Sequence, residues 1–308
     1  MSSETITQND KLTTKRKRVR SYRHRFELLD LIATTIISAM AFAIVLPFVS
    51  VVATSFATQR EYLESTLLLW PSYPTIDNYF RLLQDPRIVV GFRTTGLFLL
   101  VGVPFNMFLT VSLAYGLVRT NFPGAKTIFY LVLMTMLFNG GIVPLYLLMI
   151  QFGLTNTLWS VILAYGVNTF YFIIMRTYFI SLPESLFEAA KIDGAGEWRI
   201  LFQVVLPLAK PILATILLFY IVDRWNEWFN AMIFLRRNDM IPLQLVLRQI
   251  VMDMSIVDTM SIAGPRIPTF THGLQNAIIV ITIIPVMIVF PFLQKYFAKG
   301  IMLGAVKA

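Results

Sequence analysis

Six apolar stretches run through this chain, each close to the ~20 residues that an α-helix needs to cross a bilayer. They span residues 30–54, 92–118, 127–150, 158–179, 211–235 and 271–293. A chain that is 56% hydrophobic and only 14% charged is not typical of a soluble domain. We therefore predict an all-α polytopic membrane protein with six transmembrane helices. Its predicted parts are a tail at 1–29, a membrane domain at 30–294 and a second tail at 295–308.

The formal net charge of +9 comes largely from a basic cluster that directly precedes the first apolar stretch. Positive charge beside a membrane span marks the cytoplasmic side, so the N-terminus is predicted to be cytoplasmic. The tail after residue 294 is also cationic and is assigned to the same side. This distribution favours a lipid bilayer, and not nucleic acid, as the partner of the cluster. The cluster consists of Lys11, Lys15, Arg16, Lys17, Arg18, Arg20, Arg23 and Arg25.

The chain has no cysteine and two histidines, His24 and His272, which are far apart. Thiolate chemistry and cysteine metal sites are therefore excluded, and we expect no catalytic residue, no metal and no cofactor. The largest pieces predicted outside the membrane are two external loops, at about 57–91 and 236–270. The first is expected to contain a short helix near residues 76–83.

Residues 181–211 form an amphipathic segment between the fourth and fifth apolar stretches. Ser181 and Glu184 have the spacing of a capping box, which predicts a helix start there. Gly194 stands where a helix would end in a left-handed conformation. Apolar residues at helical spacing then predict a second helix over 197–205, and two prolines, Pro207 and Pro211, set its angle to the next span.

The third apolar stretch is interrupted by Asn139-Gly140-Gly141 and Pro144. Two interpretations are open. Either the helix continues through a bend near the external surface, or non-helical backbone lies at membrane depth. The second arrangement is typical of helices that line solute pathways, because lipid cannot satisfy free amide groups.

The fifth apolar stretch carries an unusual set of polar and aromatic residues. Four of them have the spacing of a single helix face, and ionisable groups inside a span indicate a pathway or an internal pair. Arg224 can neutralise Glu227 three residues later. Carboxylates, amides and indoles suit a neutral polyhydroxylated solute. The alternative is an aromatic belt with charges at the external interface. The candidate pathway residues are Tyr220, Asp223, Trp225, Asn226, Glu227, Trp228 and Asn230.

The segment 181–211 also resembles a known motif. Glu188-Ala189-Ala190, three residues, Gly194, nine residues and Val204-x-Leu206-Pro207 match the EAA loop of permease subunits in binding-protein-dependent ABC importers, with valine where isoleucine is usual. Other segments resemble the MalG-like, LplC-type carbohydrate permeases of that family. They are Asn139 to Pro144, Asn156 to Trp159, Trp225 to Phe229 and Leu293 to Gly300.

The resemblance implies a type I ABC importer permease fold in the bacterial plasma membrane, with both termini cytoplasmic. The EAA loop, called here the coupling loop (residues 181–211), would dock on a cytoplasmic ATPase dimer that hydrolyses ATP. A second permease and an extracellular solute-binding protein would complete an oligosaccharide importer. The residues implied for ATPase coupling are Glu188, Ala189, Ala190, Lys191, Asp193, Gly194, Leu206 and Pro207.

Three alternatives are weighed against this interpretation. The importer could carry a non-sugar solute. A six-helix channel or facilitator would explain the apolar stretches but not the EAA loop. An intramembrane enzyme using Asp223 and Glu227 would need acid–base partners that the sequence does not supply.

Overall fold

The computed structural model describes residues 28–119, 123–260 and 270–305, and every regular element in these ranges is a helix. The basic N-terminal cluster, which lies within residues 11–25, is outside the described residues. The fold divides into two units, residues 1–48 and 49–308. The first apolar stretch forms helix α1, Leu28–Ser55, which continues without a break past Pro47.

The second unit contains the last residues of α1 and all the remaining helices. They are α2 (Gln59–Glu64), α3 (Asp77–Leu83), α4 (Pro86–Arg119), α5 (Ala125–Leu137), α6 (Ile142–Gln151), α7 (Leu158–Ala164), α8 (Thr169–Ile180), α9 (Glu184–Ile192), α10 (Glu197–Leu208), α11 (Lys210–Trp225), α12 (Phe229–Phe234), α13 (Leu243–Met260) and α14 (Thr271–Ala305). The short helix predicted near 76–83 is confirmed as α3.

Three described helices are long and apolar enough to cross a membrane: α1, α4 and α14. Two bent pairs could each form a further span: α7 with α8, bent by 56°, and α10 with α11, bent by 86°. The described residues therefore provide three to five candidate spans by length and composition. Six transmembrane helices remain a prediction, and the third, fourth and fifth apolar stretches are each divided between two helices.

The third apolar stretch is interrupted, as one of the two interpretations required. Helix α5 ends at Leu137 and α6 begins at Ile142, with non-helical backbone between them. Gly141 has φ +85° and ψ 175°, a conformation that is nearly restricted to glycine. The Asn139 side-chain oxygen accepts a hydrogen bond from the Gly141 amide at 2.8 Å. The helix therefore does not simply continue through a bend.

Two helices extend into segments that were predicted as an external loop and a C-terminal tail. Part of the predicted external loop at 236–270 is helical as α13, which begins at Leu243. Helix α14 continues to Ala305 and so includes most of the segment that was assigned to a separate tail. Apolar periodicity alone did not indicate either feature, because α13 carries several polar residues and the lysines after Gln294 suggested a span end.

Helix α4 connects two hydrophobic cores. Its first half packs into a core with α3, α6, α7, α12, α13 and α14, where Ile88 and Phe98 are buried. Its second half packs into a core with α8, α9, α10 and α11, where Val103 and Ala114 are buried. A π-helical turn at Phe98–Gly102 lies where the helix passes from one core to the other. Such turns insert one extra residue and reorient the helix faces.

Candidate functional site

The coupling loop begins with α9, but not through the predicted capping box. Ser181 ends α8, where its hydroxyl donates to the Tyr178 carbonyl at 2.7 Å. Pro183 precedes the first residue of α9, and no side chain caps that end. The Ser181 hydroxyl is occupied by the preceding helix and is therefore not available as a cap. The prediction of a capping box from Ser181 and Glu184 was wrong.

Gly194 ends α9 in the conformation that the sequence predicts, with φ +74°. The amide of Ala195 donates to the carbonyl of Ala190, and the amide of Gly194 donates to that of Lys191, both at 3.0 Å. These two bonds form a Schellman motif, which requires a left-handed residue at the glycine position. The turn between the two helices of the coupling loop is therefore fixed by main-chain hydrogen bonds.

The second helix of the coupling loop, α10, begins at Glu197 and contains a π-helical turn at Leu201–Val205. It meets α11 at an angle of 86°. Pro207 lies in the last turn of α10 and Pro211 in the first turn of α11. A proline in the first turn is tolerated because its missing N–H would be unpaired there. The sharp entry into α11 thus follows the proline pattern.

The coupling loop packs through Phe187, Ile200, Leu201 and Val205, all buried in the second core. Its other side is open. The predicted coupling residues divide between these sides: Ala190 and Leu206 are half-buried and pack inward, whereas Glu188, Ala189, Lys191, Asp193, Gly194 and Pro207 are exposed. The exposed set, with Ile192 at 85% exposure, forms the outer face of the loop.

Polar contacts tie the coupling loop to the end of α4. The Tyr115 hydroxyl donates to Glu197 Oε2 at 2.6 Å, and Lys191 Nζ lies 3.3 Å from the other oxygen of Glu197. Arg119 pairs with Glu184 at 3.0 Å, and its guanidinium lies 3.2 Å from the Phe187 ring centre. These contacts were not predicted, because nothing in the sequence relates residues 115 and 119 to a loop some 70 residues later.

A cavity of about 400 Å³ lies where α11 ends. Six of the seven predicted pathway residues line it; Trp225 does not, and its indole N–H is buried without a hydrogen-bond partner. The lining residues are Tyr165, Asn168, Tyr220, Val222, Asp223, Arg224, Asn226, Glu227, Trp228, Phe229 and Asn230. We call this set the polar cavity.

The predicted single helix face does not exist. Helix α11 ends at Trp225, and the Asn226 side chain donates to the Val222 carbonyl at 2.9 Å, which satisfies the last turn. The Glu227 carboxylate accepts the Asn230 amide at 3.1 Å, near the start of α12. The chain therefore stops one helix and starts another within a few residues. Tyr220 and Asp223 share a helix face, whereas Glu227 and Asn230 reach the polar cavity from the following turn and helix.

The Arg224 side chain connects α11 to the broken fourth span, at the end of α7. It is almost fully buried, at 3% exposure, and donates to the carbonyls of Val161, Ile162 and Tyr165 at 3.2, 3.1 and 3.4 Å. These carbonyls lie at or just after the C-terminal part of α7, where a cation is favoured by the helix dipole. The predicted pairing with Glu227 is confirmed at 3.5 Å.

The charges of the polar cavity do not balance. Its lining carries two carboxylates, Asp223 and Glu227, and one guanidinium, Arg224. Arg224 pairs with Glu227, whereas Asp223 accepts a hydrogen bond from the neutral Tyr171 hydroxyl at 2.9 Å. The lining residues therefore carry one more carboxylate than guanidinium, which suits hydroxyl donors and disfavours anions.

A second cavity of about 940 Å³ shares Tyr165 and Asn168 with the polar cavity. It is lined by the interrupted third stretch and by the break between α7 and α8, and none of its lining residues is charged. Asn139 and Asn168 supply amides there, and Phe138 and Phe170 supply aromatic faces. Polar residues inside apolar stretches were the available signal for this site. Among the described residues, no group of three metal-ligating side chains comes together.

Long apolar helices, broken spans around polar cavities and a rigid loop packed onto them define a membrane transport permease. The sequence profile of the family "Binding-protein-dependent transport system inner membrane component" matches residues 21–303. The chain belongs to this family. It is accordingly a permease subunit of a binding-protein-dependent transport system and a multi-pass protein of the plasma membrane.

Curated relatives agree with this assignment. The chain is 38% identical over 281 residues to the polygalacturonan/rhamnogalacturonan transport system permease protein YtcP of Bacillus subtilis, covering 91% of this chain and 98% of that protein. It is 38% identical over 267 residues to protein LplC of the same organism, covering 85% and 89%.

A solved structure shares the fold. One chain of a bacterial ABC transporter involved in the import of the acidic polysaccharide alginate matches with a TM-score of 0.81 and 30% identity, over 90% of this chain and 99% of that one. A chain of the alginate ABC transporter in complex with a periplasmic protein bound to an alginate pentasaccharide matches with a TM-score of 0.52 at 15% identity, over 86% and 92% of the two chains. The second likeness concerns the fold alone.

Proposed function

We propose that this chain works with a second permease, a cytoplasmic ATPase dimer and an extracellular solute-binding protein to import an oligosaccharide. The observation that carries the proposal is the coupling loop, a Schellman-locked helix pair that is buried on one side and open on the other. A solvent-exposed face held this rigidly is suited to docking on a partner. The chain itself performs no chemistry in this scheme, and ATP is hydrolysed in the partner subunit.

Each coupling residue has a proposed role on that face. Glu188 supplies a charge to the ATPase surface, and Ala189 permits close approach because it is exposed and small. Gly194 provides the turn. Ala190 and Leu206 act from inside by anchoring the loop in the second core. Closure of the ATPase dimer would then move the loop and switch the permease pair between outward- and inward-facing states.

Carbohydrate is the solute class that the polar cavity supports best. Carboxylate and amide oxygens accept hydrogen bonds from sugar hydroxyls, and the aromatic side chains of Trp228 and Phe229 line the same cavity. Relatives named for polygalacturonan/rhamnogalacturonan and for arabinooligosaccharides support the same class. The excess of carboxylate favours a neutral oligosaccharide at this subunit over an acidic one.

The test is purification of the chain from its own membranes in mild detergent, with identification of the co-purified subunits and an ATPase assay. A second permease and an active ATPase would support the importer. A homogeneous chain without ATPase that conducts solute after reconstitution would instead favour a channel or facilitator. Binding of oligosaccharides to the associated binding protein would then separate sugar from non-sugar solutes.

A further inference from the structure

The second half of α4, residues 103–119, contacts the coupling loop at one end. At its other end it contacts two residues of α11 that line the polar cavity. At the loop end, Tyr115 donates to Glu197 at 2.6 Å and Arg119 pairs with Glu184 at 3.0 Å. Hydrogen bonds to charged groups are the stronger class of such bonds. Both residues therefore follow the coupling loop if it moves.

At the other end, two buried polar residues of α4 hold residues of α11 that line the polar cavity. Asn106 Oδ1 accepts from Arg224 Nε at 3.1 Å and from Nη2 at 3.0 Å. Thr110 Oγ1 lies 2.6 Å from the Tyr220 hydroxyl. Asn106 and Thr110 are fully buried. No water competes for these bonds, so they resist displacement.

The helix between these contacts is rigid for a physical reason. Val103, Val111, Ala114 and Leu117 are buried in the same core as Phe187 of the coupling loop. That core also contains Tyr220, and protein cores are packed at crystal-like density and transmit displacement. Asn106 and Arg119 are thirteen positions apart, which is about 20 Å at the helical rise of 1.5 Å per residue.

We propose that residues 103–119 of α4 transmit movement of the coupling loop to the polar cavity through Tyr115 and Arg119 at one end and Asn106 and Thr110 at the other. This inference rests on the proposed function, because it needs an ATPase that moves the loop. The four residues act as positioning residues: none of them lines the polar cavity, and none belongs to the exposed face of the loop.

In a simpler arrangement, α10 alone would carry the movement into α11, but the geometry of these two helices does not favour it. Those two helices meet at 86°, with a proline on each side of Ala209. A bend this sharp, at which Pro207 and Pro211 cannot donate main-chain hydrogen bonds, is a weak connection for axial force. The straight path through α4 avoids that bend and reaches α11 near its cavity end.

The experiment uses the whole complex, with partner permease, ATPase and binding protein, reconstituted in liposomes. Tyr115→Phe and Thr110→Val each remove one hydroxyl and preserve most of the side-chain volume. Solute transported per ATP hydrolysed is measured together with basal ATPase activity and complex assembly. Tyr146→Phe is the matched control, since it removes a hydroxyl that accepts from Arg236 at 2.7 Å far from the path.

We expect both variants to assemble with unchanged basal ATPase activity and to transport about fivefold less solute per ATP, at the lower end of typical coupling between sites. Tyr146→Phe should behave as the unmutated complex. Glu197→Gln weakens the same bond from the other side, and its combination with Tyr115→Phe should be no worse than the stronger single variant.

Two results would overturn the inference while the proposed function stands. One is a transport ratio equal to that of the unmutated complex in both Tyr115→Phe and Thr110→Val. The other is loss of complex assembly in Tyr115→Phe and in Glu197→Gln alike, which would make their bond a folding contact only. Absence of any ATPase from the unmutated preparation is a different outcome, because it refutes the proposed function itself.

Discussion

Arg224 in α11 donates to a single oxygen of Asn106 in α4 through two nitrogens, at 3.1 and 3.0 Å. The Asn106 amide nitrogen in turn donates to the Gly166 carbonyl at 2.7 Å. Together with the Arg224 bonds to Val161 and Ile162, this network satisfies three carbonyls at the break between α7 and α8. The broken fourth span therefore depends on a cation supplied by the fifth.

The first prediction follows from this network. Arg224→Met removes the cation, so that Glu227 loses its buried ion-pair partner and the carbonyls of Val161 and Ile162 lose a donor. Removing one partner of a buried ion pair costs about 3–5 kcal/mol. We expect a fall of several degrees in the Tm of the detergent-solubilised chain. Arg237→Met is the control, since Arg237 and Asp239 form an exposed pair, and its Tm should hardly change. Equal Tm values for the two variants would contradict the structural role of Arg224.

The second prediction concerns the turn in the coupling loop. Gly194 and Gly196 both have open space where a Cβ would lie, so neither substitution creates a clash. Gly194 has φ +74°, whereas Gly196 has φ −72°, which any residue adopts. Gly194→Val should cost about 1–2 kcal/mol from the left-handed conformation alone. We expect it to remain in the membrane but to lose the ATPase on purification, whereas Gly196→Val keeps it. Normal transport by Gly194→Val would remove the support for the coupling loop.

The third prediction concerns solute charge. Asp223 is exposed to the polar cavity, and its charge is not neutralised by the Arg224–Glu227 pair. Asp223→Asn keeps the shape of the side chain and removes the excess negative charge. We expect the ratio of acidic to neutral oligosaccharide uptake to rise about tenfold, which corresponds to ~1.4 kcal/mol. Asp77→Asn makes the same change in α3, outside the cavity, and should leave the ratio unchanged. An unaltered ratio in Asp223→Asn would mean that the solute does not pass this residue.

The fourth prediction concerns Glu61, which holds the segment after α2. Its Oε1 accepts the amides of Ser72 and Tyr73 at 2.7 and 2.9 Å. Desolvation raises the pKa of Glu61, but these bonds and one from the Thr58 amide outweigh it and place the pKa below the ordinary value of 4.5. Because the pKa is lowered in the folded state, the ionised Glu61 carboxylate stabilises the folded segment fully above pH 4.5. This stabilisation is lost as the pH falls through the pKa of the folded state.

The measurement for Glu61 is amide hydrogen exchange at Ser72 and Tyr73. We expect their protection to be retained above pH 4.5 and to fall at lower pH, whereas in Glu61→Gln it should already be weakened above pH 4.5 and should not change with pH. Glu64→Gln is the control, because Glu64 pairs with Arg60 in α2 and both side chains are exposed. Protection that is independent of both pH and the Glu61 carboxyl would show that the segment is held by other contacts.

Much of the architecture could be predicted from short-range patterns. Apolar runs near 20 residues gave the long helices α1, α4 and α14, because the length of a span is a property of the sequence itself. The position of Gly194 predicted its left-handed turn for the same reason: a Schellman motif involves only residues 190–195. The Arg224–Glu227 pair was also a local prediction, three residues apart along the chain.

The predictions that were wrong relied on residue spacing, and in each case a side chain forms a different hydrogen bond from the one that the spacing suggested. Ser181 had the spacing of a cap, but its hydroxyl bonds back to Tyr178 in the helix before it. The polar stripe of the fifth stretch had helical spacing, but Asn226 and Glu227 use their side chains to end one helix and begin the next. Periodicity describes a helix only while the main chain remains helical.

The sequence by itself determined that this is a helical membrane permease with an EAA-type motif between its fourth and fifth apolar stretches, because composition, span length and a motif of fixed spacing are all read along the chain. Only the tertiary structure decided how that loop is joined to the polar cavity. The contacts Tyr115–Glu197, Thr110–Tyr220 and Asn106–Arg224 are separated by 82, 110 and 118 residues. Pairs so distant in sequence meet only because buried apolar faces pack α4 against α8, α9 and α11, and no local pattern encodes that choice of neighbours.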